Sequence, residues 1–462
     1  MVNNLENRDT IAAIATGMGS SGISIIRISG SSSIEIADKI FKSKNKKSLK
    51  ESESYKAHYG HIVYEDEIID EVIVLVMKAP GTYTKEDIVE IDCHGGLYVT
   101  KKILELLFMT GARPAEPGEF TKRAFLNGRI DLSQAESVID IINSKNEYAL
   151  KNSVNMLNGR LSFTIKEMRE ELIYNIAYIE AALDDPEHID IEGFGDKLIL
   201  IVDKLITNVD NLLSTVDNGK MFTEGINTVI LGKPNAGKSS LLNTLVGEER
   251  AIVTDIAGTT RDTLEENINL NGIILKLIDT AGIRQTEDIV EKIGVDKAKK
   301  MAAASDLIIY VVDSSTRLDK NDEEILSLIK DRKVIVLLNK SDLDAVTTGE
   351  EIEKYIDCPI ISISAKESIG IDALEKTIVD MFMGGKINFN DEIMITRQRQ
   401  KDALFQAKKS LKLVKESINL GMPEDLYTID MMNAYEELGK ITGESLEEDL
   451  VNEIFSKFCM GK

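Results

Sequence analysis

The stretch that decides the fold is Thr228–Ser239, which reads TVILGKPNAGKS. Apolar residues of strand type lead directly into a complete GxxxxGKS, and a helical pattern follows. In this setting the glycines let backbone N–H groups wrap phosphates, and Lys238 neutralises the β and γ oxygens. The hydroxyl of Ser239 is a ligand for Mg²⁺ at the start of a helix. The stretch therefore predicts a P-loop nucleotide site.

Four further motifs follow in the order and spacing of a small GTPase. They are Gly258–Asp262 (GTTRD), Asp279–Gly282 (DTAG), Asn339–Asp342 (NKSD) and Ser364–Lys366 (SAK). Thr260 of the first motif suits Mg²⁺ and the γ-phosphate. In the second motif we expect Asp279 near the metal and the amide of Gly282 at the γ-phosphate.

The last two motifs predict a guanine pocket. Asp342 can accept hydrogen bonds from both N1–H and the 2-amino group of guanine, and adenine lacks that donor pair. A buried polar group left unpaired costs about 1–3 kcal/mol, so GTP is preferred over ATP. Ser364–Lys366 completes the pocket through backbone contact to the guanine oxygen.

The group that orients the attacking water is less clear from the motifs. Ras-like GTPases use a Gln directly after the DxxG glycine, but Ile283 stands there and can neither donate nor accept a hydrogen bond. Glu287, Asp288 and Glu291 follow in the same switch segment, and an acid in such a loop is more often solvated than catalytic. The residues alone leave this choice open.

The patterning of the rest of the chain predicts a multidomain protein. Residues 1–120 alternate short strands and helices, as in an α+β domain, and residues 42–56 form a polar loop. Apolar residues then recur at three- and four-residue spacing in residues 121–220 and again in residues 385–462. Each helical piece alone would expose an apolar face, so we expect them to form one discontinuous all-α domain. A Ras-like α/β P-loop GTPase domain of residues 221–384 is inserted between them.

Composition narrows the class of protein. The net charge of −23 argues against wholesale electrostatic binding of nucleic acid. Any RNA contact is therefore local, and the densest cationic segment, Thr396–Lys415, is either such a contact or a solvated helix face. Three widely spaced cysteines without a CxxC pattern, and no apolar stretch of about 20 residues, point to a cytoplasmic protein that spans no membrane.

Several strings are specific enough to indicate a family. They are the P-loop Asn235, the GTTRD motif, the apolar residue after DTAG, the end Cys459–Lys462 (CMGK), Ile23–Gly30 (ISIIRISG), Tyr83–Glu90 (YTKEDIVE), His94–Gly96 (HGG) and Pro117–Arg129 (PGEFTKRAFLNGR). Over its full length the chain resembles the MnmE (TrmE) family of tRNA wobble-uridine modification GTPases. One departure is the glycine-rich turn Gly17–Gly22, which lacks an arginine that the family commonly has there.

The resemblance implies an assembly and a reaction. It implies a homodimer held by the N-terminal domains, working with an FAD-dependent partner, MnmG, on tRNA. Together they build an aminomethyl-type group on C5 of the wobble uridine (position 34), and a tetrahydrofolate derivative of the 5-formyl or 5,10-methylene type donates the carbon. FAD belongs to the partner and not to this chain.

The resemblance also assigns roles to particular residues. A K⁺ ion takes the part of an arginine finger when the two GTPase domains meet, and its site falls on Asn235, the carbonyls of Thr254 and Ile256, and Thr259. The water-positioning acid falls on Glu291, and Cys459 becomes a functional candidate. The predicted nucleotide contacts are then Asn235, Ala236, Gly237, Lys238, Ser239, Ser240, Thr254, Thr259, Thr260, Asp279, Thr280, Ala281, Gly282, Asn339, Lys340, Asp342, Ser364, Ala365 and Lys366, with Mg²⁺ on Ser239 and Thr260.

For the folate, the family's contact positions fall on Arg27, Glu90, Arg129 and Lys462. Their chemistry suits the ligand, because a glutamyl-pterin has hydrogen-bond donors on its ring and carboxylates in its tail. Strand alternation places Glu90 within an otherwise apolar run. Each of these charges is also explained by a surface position or a structural ion pair.

Two other classes of protein would carry the same GTPase motifs. A ribosome-assembly switch GTPase needs an appended RNA-binding module, and none is visible in the sequence. A transporter-linked or membrane-remodelling G protein needs apolar spans or an amphipathic membrane helix, which are also not found.

Overall fold

The computed structural model of the chain describes these residues, and every structural statement below is limited to them: 9–189, 193–216, 219, 221, 225–247, 266–270, 273–278, 301–383, 393–444, 448–459 and 461. The chain divides into two compact units. The first comprises residues 1–139, 156–202 and 406–462, and the second comprises residues 140–155 and 203–405. The boundaries of the three domains expected above stay a prediction.

Helices make up much of the described chain. They are α1 (Ser33–Ile40), α2 (Leu97–Met109), α3 (Glu119–Leu126), α4 (Leu132–Asn143), α5 (Glu147–Leu157), α6 (Arg160–Asp184), α7 (Phe194–Ser214), α8 (Lys238–Val246), α9 (Lys320–Ile329), α10 (Gly349–Ile352), α11 (Ile371–Met383), α12 (Gln398–Asn419), α13 (Glu424–Thr442) and α14 (Glu448–Ser456).

The first unit contains a sheet of seven strands. They are β1 (Ile11–Ile14), β2 (Ile23–Ser29), β3 (Phe41–Ser43), β4 (Lys56–Tyr64), β5 (Glu67–Met77), β6 (Ile88–His94) and β7 (Arg113–Pro114). The spatial order is β3-β4-β5-β6-β2-β1-β7, and all pairs are antiparallel except β1 with β7.

Side-chain alternation sorts this sheet into two faces. Ile26 and Ile28 of β2, with Val89 and Ile91 of β6, are fully buried in a core that also takes residues from α1 and α2. Residues between them in β2 and β6 point to the opposite face because successive side chains in a strand alternate. The charged Arg27–Glu90 pair, described below, therefore lies on the face away from this core.

The expectation of a polar loop over residues 42–56 is wrong in part. The segment contains the end of β3 and a 3₁₀ turn, Leu49–Glu51. Leu49 is fully buried, and its backbone amide donates to Asp38 Oδ1 at 2.7 Å. A single apolar residue with a capped turn was enough to order a stretch whose composition is otherwise that of a loop.

The helices of the first unit pack through regularly spaced apolar residues. In α6 the buried side chains include Leu161, Ile165, Met168, Leu172, Ile176 and Ile179, which fall on one helix face. Arg169 of α6 lies over the ring of Tyr435 in α13, 4.1 Å from its centroid, and pairs with Glu444. Phe455 of α14 packs against Phe125 of α3 with the ring centroids 6.2 Å apart. The C-terminal residues thus pack on the helix that follows the N-terminal sheet.

The second unit contains a sheet of six strands. They are β8 (Ile226–Gly232), β9 (Glu266–Leu270), β10 (Ile273–Leu277), β11 (Leu307–Asp313), β12 (Val334–Asn339) and β13 (Ile360–Ser362), in the order β13-β12-β11-β8-β10-β9. All neighbours are parallel except the β9–β10 pair. In that pair Leu270 opposes Ile273.

Both faces of this sheet are covered, as is usual for parallel sheets. Ile230, Ile309 and Leu337 pack with residues of α8 and α11, while the alternate residues of the same strands pack with α9. The carboxyl ends of β8, β11 and β12 therefore lie at one edge, where open α/β sheets bind ligands. The predicted fold class is confirmed: an α+β part, an all-helical part and a Ras-like α/β P-loop part.

Candidate nucleotide-binding site

The P-loop joins the end of β8 to the start of α8, as the sequence predicted. Three of its residues have a positive φ: Gly232 at 147°, Asn235 at 60° and Gly237 at 97°. A Cβ on Gly232 would stand 2.3 Å from the carbonyl oxygen of Val311, and a Cβ on Gly237 would stand 2.0 Å from Asn339 Nδ2. Both glycines are required by backbone conformation and by space.

Lys238 directs its amine into this loop. Its Nζ donates to the carbonyl oxygens of Gly232 at 2.8 Å and Lys233 at 2.5 Å. Burial lowers the pKa of Lys238 from its ordinary value, because a low-dielectric environment disfavours the charged amine. An anionic phosphate oxygen is the natural partner for such an amine, and Ser239 and Ser240 lie in the first turn of the same helix.

Asn339 joins the P-loop to the SAK motif. Its side chain is buried, and its Nδ2 donates to the carbonyl of Ala236 at 2.8 Å. Its Oδ1 accepts from the backbone amide of Ala365 at 3.0 Å. Thr244 of α8 adds a second link, since its hydroxyl donates to the carbonyl of Ala365 at 2.7 Å. Three separate motifs are therefore held as one rigid frame.

Asp342 stands at the open side of that frame. The hydroxyl of Ser364 donates to Asp342 Oδ1 at 2.6 Å, and this bond lowers the pKa of the exposed carboxyl. Within the described residues Asp342 Oδ2 accepts no side-chain hydrogen bond. The carboxylate is thus ionised, fixed in orientation, and able to accept from a pair of ring donors.

Lys340, which lies between Asn339 and Asp342 in the sequence, has a strained backbone conformation. Its φ is 65°, in the left-handed region, and its amine pairs with Asp313 Oδ2 at 2.5 Å. Burial works to raise the pKa of Asp313, but hydrogen bonds from Lys340 and Ser315 outweigh it and lower the pKa below the ordinary value. The ion pair fixes the aliphatic stem of Lys340 beside the frame. Lys366, the last SAK residue, is exposed and pairs with Glu367 at 3.3 Å.

A polar network behind the P-loop was not predicted. Lys233 pairs with Asp319 at 2.8 Å and also with Asp322, and the hydroxyl of Tyr310 donates to the buried Asp322 at 2.7 Å. Asp319 and Asp322 also form the capping box of α9. In the sequence, only the three-residue spacing of these two acids before a helical pattern could have indicated the capping box. Asn235 lines a cavity of about 260 Å³ beside this network.

Some residues of the predicted sites lie outside the described part of the chain. They are Thr254, Ile256, Thr259, Thr260, Asp279, Thr280, Ala281, Gly282 and Glu291, together with the alternatives Glu287 and Asp288 and with Lys462 of the folate set.

A second cluster of predicted residues lies on the open face of the first sheet. Arg27 and Glu90 are direct cross-strand partners, and Arg27 Nε donates to Glu90 Oε1 at 2.7 Å. Arg129 lies over the ring of Tyr83, 4.7 Å from its centroid, and Arg27 is 5.8 Å from the same centroid. The structure thus places Arg27 and Arg129 at one aromatic ring and Glu90 beside Arg27, although these residues are distant in sequence.

The C-terminal residues reach this cluster. Arg27 Nη1 donates to the carbonyl of Gly461 at 3.4 Å, and a Cβ on Gly461 would stand 2.3 Å from the carbonyl oxygen of Ile14. The carbonyl of Cys459 accepts from the amide of Gly118 at 3.2 Å, and its thiol-bearing side chain is exposed. The backbone of Gly461 therefore lies beside Arg27 of the first sheet.

Comparison with known proteins gives two family matches. Residues 10–129 match the GTP-binding protein TrmE N-terminus, and residues 132–459 match the MnmE helical domain. A tRNA modification GTPase MnmE of Lachnoclostridium phytofermentans is 61% identical, covering 98% of this chain and 99% of the relative. That of Thermoanaerobacter pseudethanolicus is 50% identical over the same shares.

Among solved structures, the G domain of the T. maritima FeoB iron transporter is 28% identical with a TM-score of 0.25. The match covers 34% of this chain and 97% of the FeoB domain. Within the described part of the chain, every helix is too short or too polar to cross a membrane.

Proposed function

We propose that this chain, which belongs to the MnmE family of tRNA modification GTPases, modifies C5 of the wobble uridine (position 34) of tRNA. It does so as a cytoplasmic homodimer with an FAD-dependent, MnmG-like partner and a tetrahydrofolate one-carbon donor. The chain is a GTPase, and its hydrolysis is Mg²⁺-dependent and stimulated by K⁺. The observation that carries the nucleotide part is the frame around Asn339, which holds a phosphate loop and a guanine-selective carboxylate in fixed relation.

Different residues of the frame bind different parts of GTP. Asp342 accepts from the two guanine donors, and Ser364 keeps its carboxylate in place. The backbone amides of the P-loop and the amine of Lys238 take the phosphates, since an α-helix N-terminus and a cationic amine both favour negative charge. Ser239, with Thr260, supplies hydroxyl oxygens for Mg²⁺, which neutralises phosphate charge when bound.

The K⁺ part of the proposal rests on Asn235. Asn235 has a left-handed backbone conformation and lines the neighbouring cavity. An amide oxygen is a suitable ligand for a hard cation. With Asn235, the carbonyls of Thr254 and Ile256 and the residue Thr259 complete the set, and Glu291 orients the attacking water. Bound K⁺ supplies the positive charge that an arginine finger provides in other GTPases.

The folate part rests on the cluster on the first sheet. Glu90 presents an acceptor to the donors of the pterin ring, while Arg27 and Arg129 place cations around Tyr83 for the glutamyl carboxylates. Lys462 follows Gly461, whose carbonyl is already bonded to Arg27. Cys459, exposed two residues before Gly461, is a candidate for the modification chemistry.

Mass spectrometry of wobble uridines tests the proposal as a whole. A strain that lacks this protein should lose the aminomethyl-type group from C5 of uridine 34, and the intact gene should restore it. A gene carrying Lys238→Ala should fail to restore it. Unchanged uridine 34 together with defective ribosome assembly would overturn the proposal and favour a ribosome-assembly GTPase.

A further inference from the structure

The cations of this chain are distributed unevenly. The whole chain carries 78 acidic and 55 basic residues, yet residues 397–415 contain seven Lys or Arg against the single acid Asp402. Most of this segment is helix α12. We call one side of that helix the lysine face, and it consists of Lys401, Phe405, Lys408, Lys409, Lys412 and Lys415.

The lysine face is a true helix face. At about 100° per residue its six members fall within about 120° of the helix circumference and extend for about 21 Å. The opposite side consists of the buried residues Ala403, Leu404, Ala407, Leu411 and Val414. Because the apolar side is the one in the core, the lysine face is directed to solvent, and Lys409 and Lys412 are exposed.

Three lysines of this face have no acidic partner among the described residues. Lys401, Lys409 and Lys412 form no ion pair within the described part of the chain, although Asp402 and Glu416 lie in the same helix. The other lysine-rich segment of the protein differs. There Lys39 and Lys50 pair with Glu35, and other lysines pair similarly with neighbouring acids. The charges of Lys401, Lys409 and Lys412 therefore remain available to a partner.

An aromatic side chain interrupts the lysines. Phe405 is 58% exposed and lies one helical turn before Lys408 and Lys409. The apolar ring of Phe405 is thus largely accessible to solvent on the same helix face as the lysines. Single-stranded nucleic acid is recognised by this combination, because lysines contact phosphates and an aromatic ring stacks on an unpaired base.

We propose that the lysine face of α12 binds tRNA, with Lys409 and Lys412 contacting the phosphate backbone and Phe405 stacking on an unpaired base. This inference rests on the proposed function, which makes tRNA the substrate. The new element is the location of the contact: it names the surface of this acidic chain to which tRNA binds. The alternative partner for the lysine face is an acidic protein. Such a partner would not require the exposed aromatic ring of Phe405 beside the lysines.

The test compares two charge-reversed proteins with the same change in net charge. Lys409→Glu with Lys412→Glu alters the lysine face, while Lys101→Glu with Lys197→Glu alters exposed lysines on α2 and α7. Binding of fluorescent tRNA to the full-length dimer is measured by anisotropy at several salt concentrations. We expect the first pair to lose at least about 10-fold in affinity and to reduce the slope of log K against log salt by about 2, since each phosphate contact contributes about 1. The second pair should bind as wild type, and both should hydrolyse GTP normally.

Phe405→Ala tests the stacking part. We expect roughly 5- to 10-fold weaker binding with an unchanged salt slope, and recovery in Phe405→Tyr, which keeps the ring. Equal effects of the two lysine pairs, or wild-type binding by the first pair, would overturn the assignment of this face. Loss of binding to the MnmG-like partner with tRNA binding intact would overturn it in favour of the acidic protein. Failure of the proposed function would give a different result from failure of the lysine-face assignment. The wild-type protein would then bind no tRNA, and uridine 34 would be modified in a strain that lacks the protein.

Discussion

The side-chain amide of Asn339 donates from Nδ2 to the carbonyl oxygen of Ala236 at 2.8 Å, which joins the guanine-recognition motif directly to the P-loop. The absence of a side chain at Gly237 makes room for this bond. Because the same amide group also accepts from Ala365, a shift in any one of the three motifs disturbs the other two. We therefore expect guanine recognition and phosphate binding to be coupled through this one buried side chain.

Asn339→Ala should weaken both the fold and nucleotide binding. The substitution leaves a buried carbonyl and a buried amide without partners, at about 1–3 kcal/mol for each group. Denaturant unfolding should show this loss, and GTP affinity should fall because the two sides of the site are no longer held together. Asn339→Asp is a companion variant: it keeps the acceptor for Ala365 but replaces the donor to Ala236 with a buried carboxylate oxygen, which repels that carbonyl. Wild-type GTP affinity in Asn339→Ala would contradict the coupling.

Asp342→Asn should move nucleotide preference from GTP toward XTP. The amide presents a donor to the two guanine donors, whereas xanthine offers a carbonyl at position 2. We expect GTP affinity to fall by about 100-fold or more and XTP affinity to rise. Ser364→Ala is a milder companion change, because it only frees the carboxylate that Ser364 orients. Competition binding with GTP and XTP measures this change in preference. Unchanged GTP affinity in Asp342→Asn would mean that the base pocket lies elsewhere.

Much of the nucleotide site could be read from the sequence because its parts are local. A strand, a glycine turn and a helix N-terminus are set by adjacent residues, so the strand-to-helix turn at Gly232–Ser239 was predicted correctly. The Lys233–Asp322–Tyr310 network was missed since it depends on which strand lies next to β8. Strand order and cross-strand register, such as Arg27 opposite Glu90, are properties of the folded sheet. Local patterns do not specify them.

Asn235→Ala should abolish stimulation of hydrolysis by K⁺ while GTP binding changes little. The amide oxygen is the proposed K⁺ ligand, and Na⁺ is too small to fit the same site well. Because Asn235 has a φ of 60°, alanine also adds backbone strain. Asn235→Gly separates the two effects, since glycine removes the ligand without strain. GTP turnover in matched KCl and NaCl buffers is the measurement, and normal K⁺ stimulation in the glycine variant would remove Asn235 from the site.

Glu119→Gln should destabilise the protein at neutral pH and much less in acid. Burial alone would raise the pKa of Glu119, but hydrogen bonds from Arg113 at 2.7 Å, the amide of Glu116 and Arg123 outweigh it and lower the pKa. A carboxyl with a lowered folded-state pKa stabilises fully above its unfolded value of about 4.3 and loses this as pH falls through the folded value. Urea unfolding at pH 7 should show a deficit of about 1–3 kcal/mol. A deficit that stays constant below pH 4 would show that ionisation of Glu119 is not its source.

Glu90→Ala should abolish binding of 5-formyltetrahydrofolate and leave GTP hydrolysis largely unchanged. The carboxylate is the one acid among the described residues of the cluster around Tyr83, and pterin donors need an acceptor that water no longer provides. Alanine also frees Arg27 from its 2.7 Å bond, so a loss of affinity alone could reflect a displaced arginine.

Two companion variants resolve that ambiguity. Glu90→Gln keeps an acceptor and the side-chain shape, so it should retain part of the affinity if ring contact is what matters. Glu71→Ala removes an acid of the neighbouring strand β5 that pairs with His61 at 3.7 Å, and it should bind folate as wild type. Calorimetry on the three variants decides the matter. Wild-type affinity in Glu90→Ala would show that the pterin lies outside this cluster, and an equal loss in Glu71→Ala would attribute the effect to the sheet as a whole.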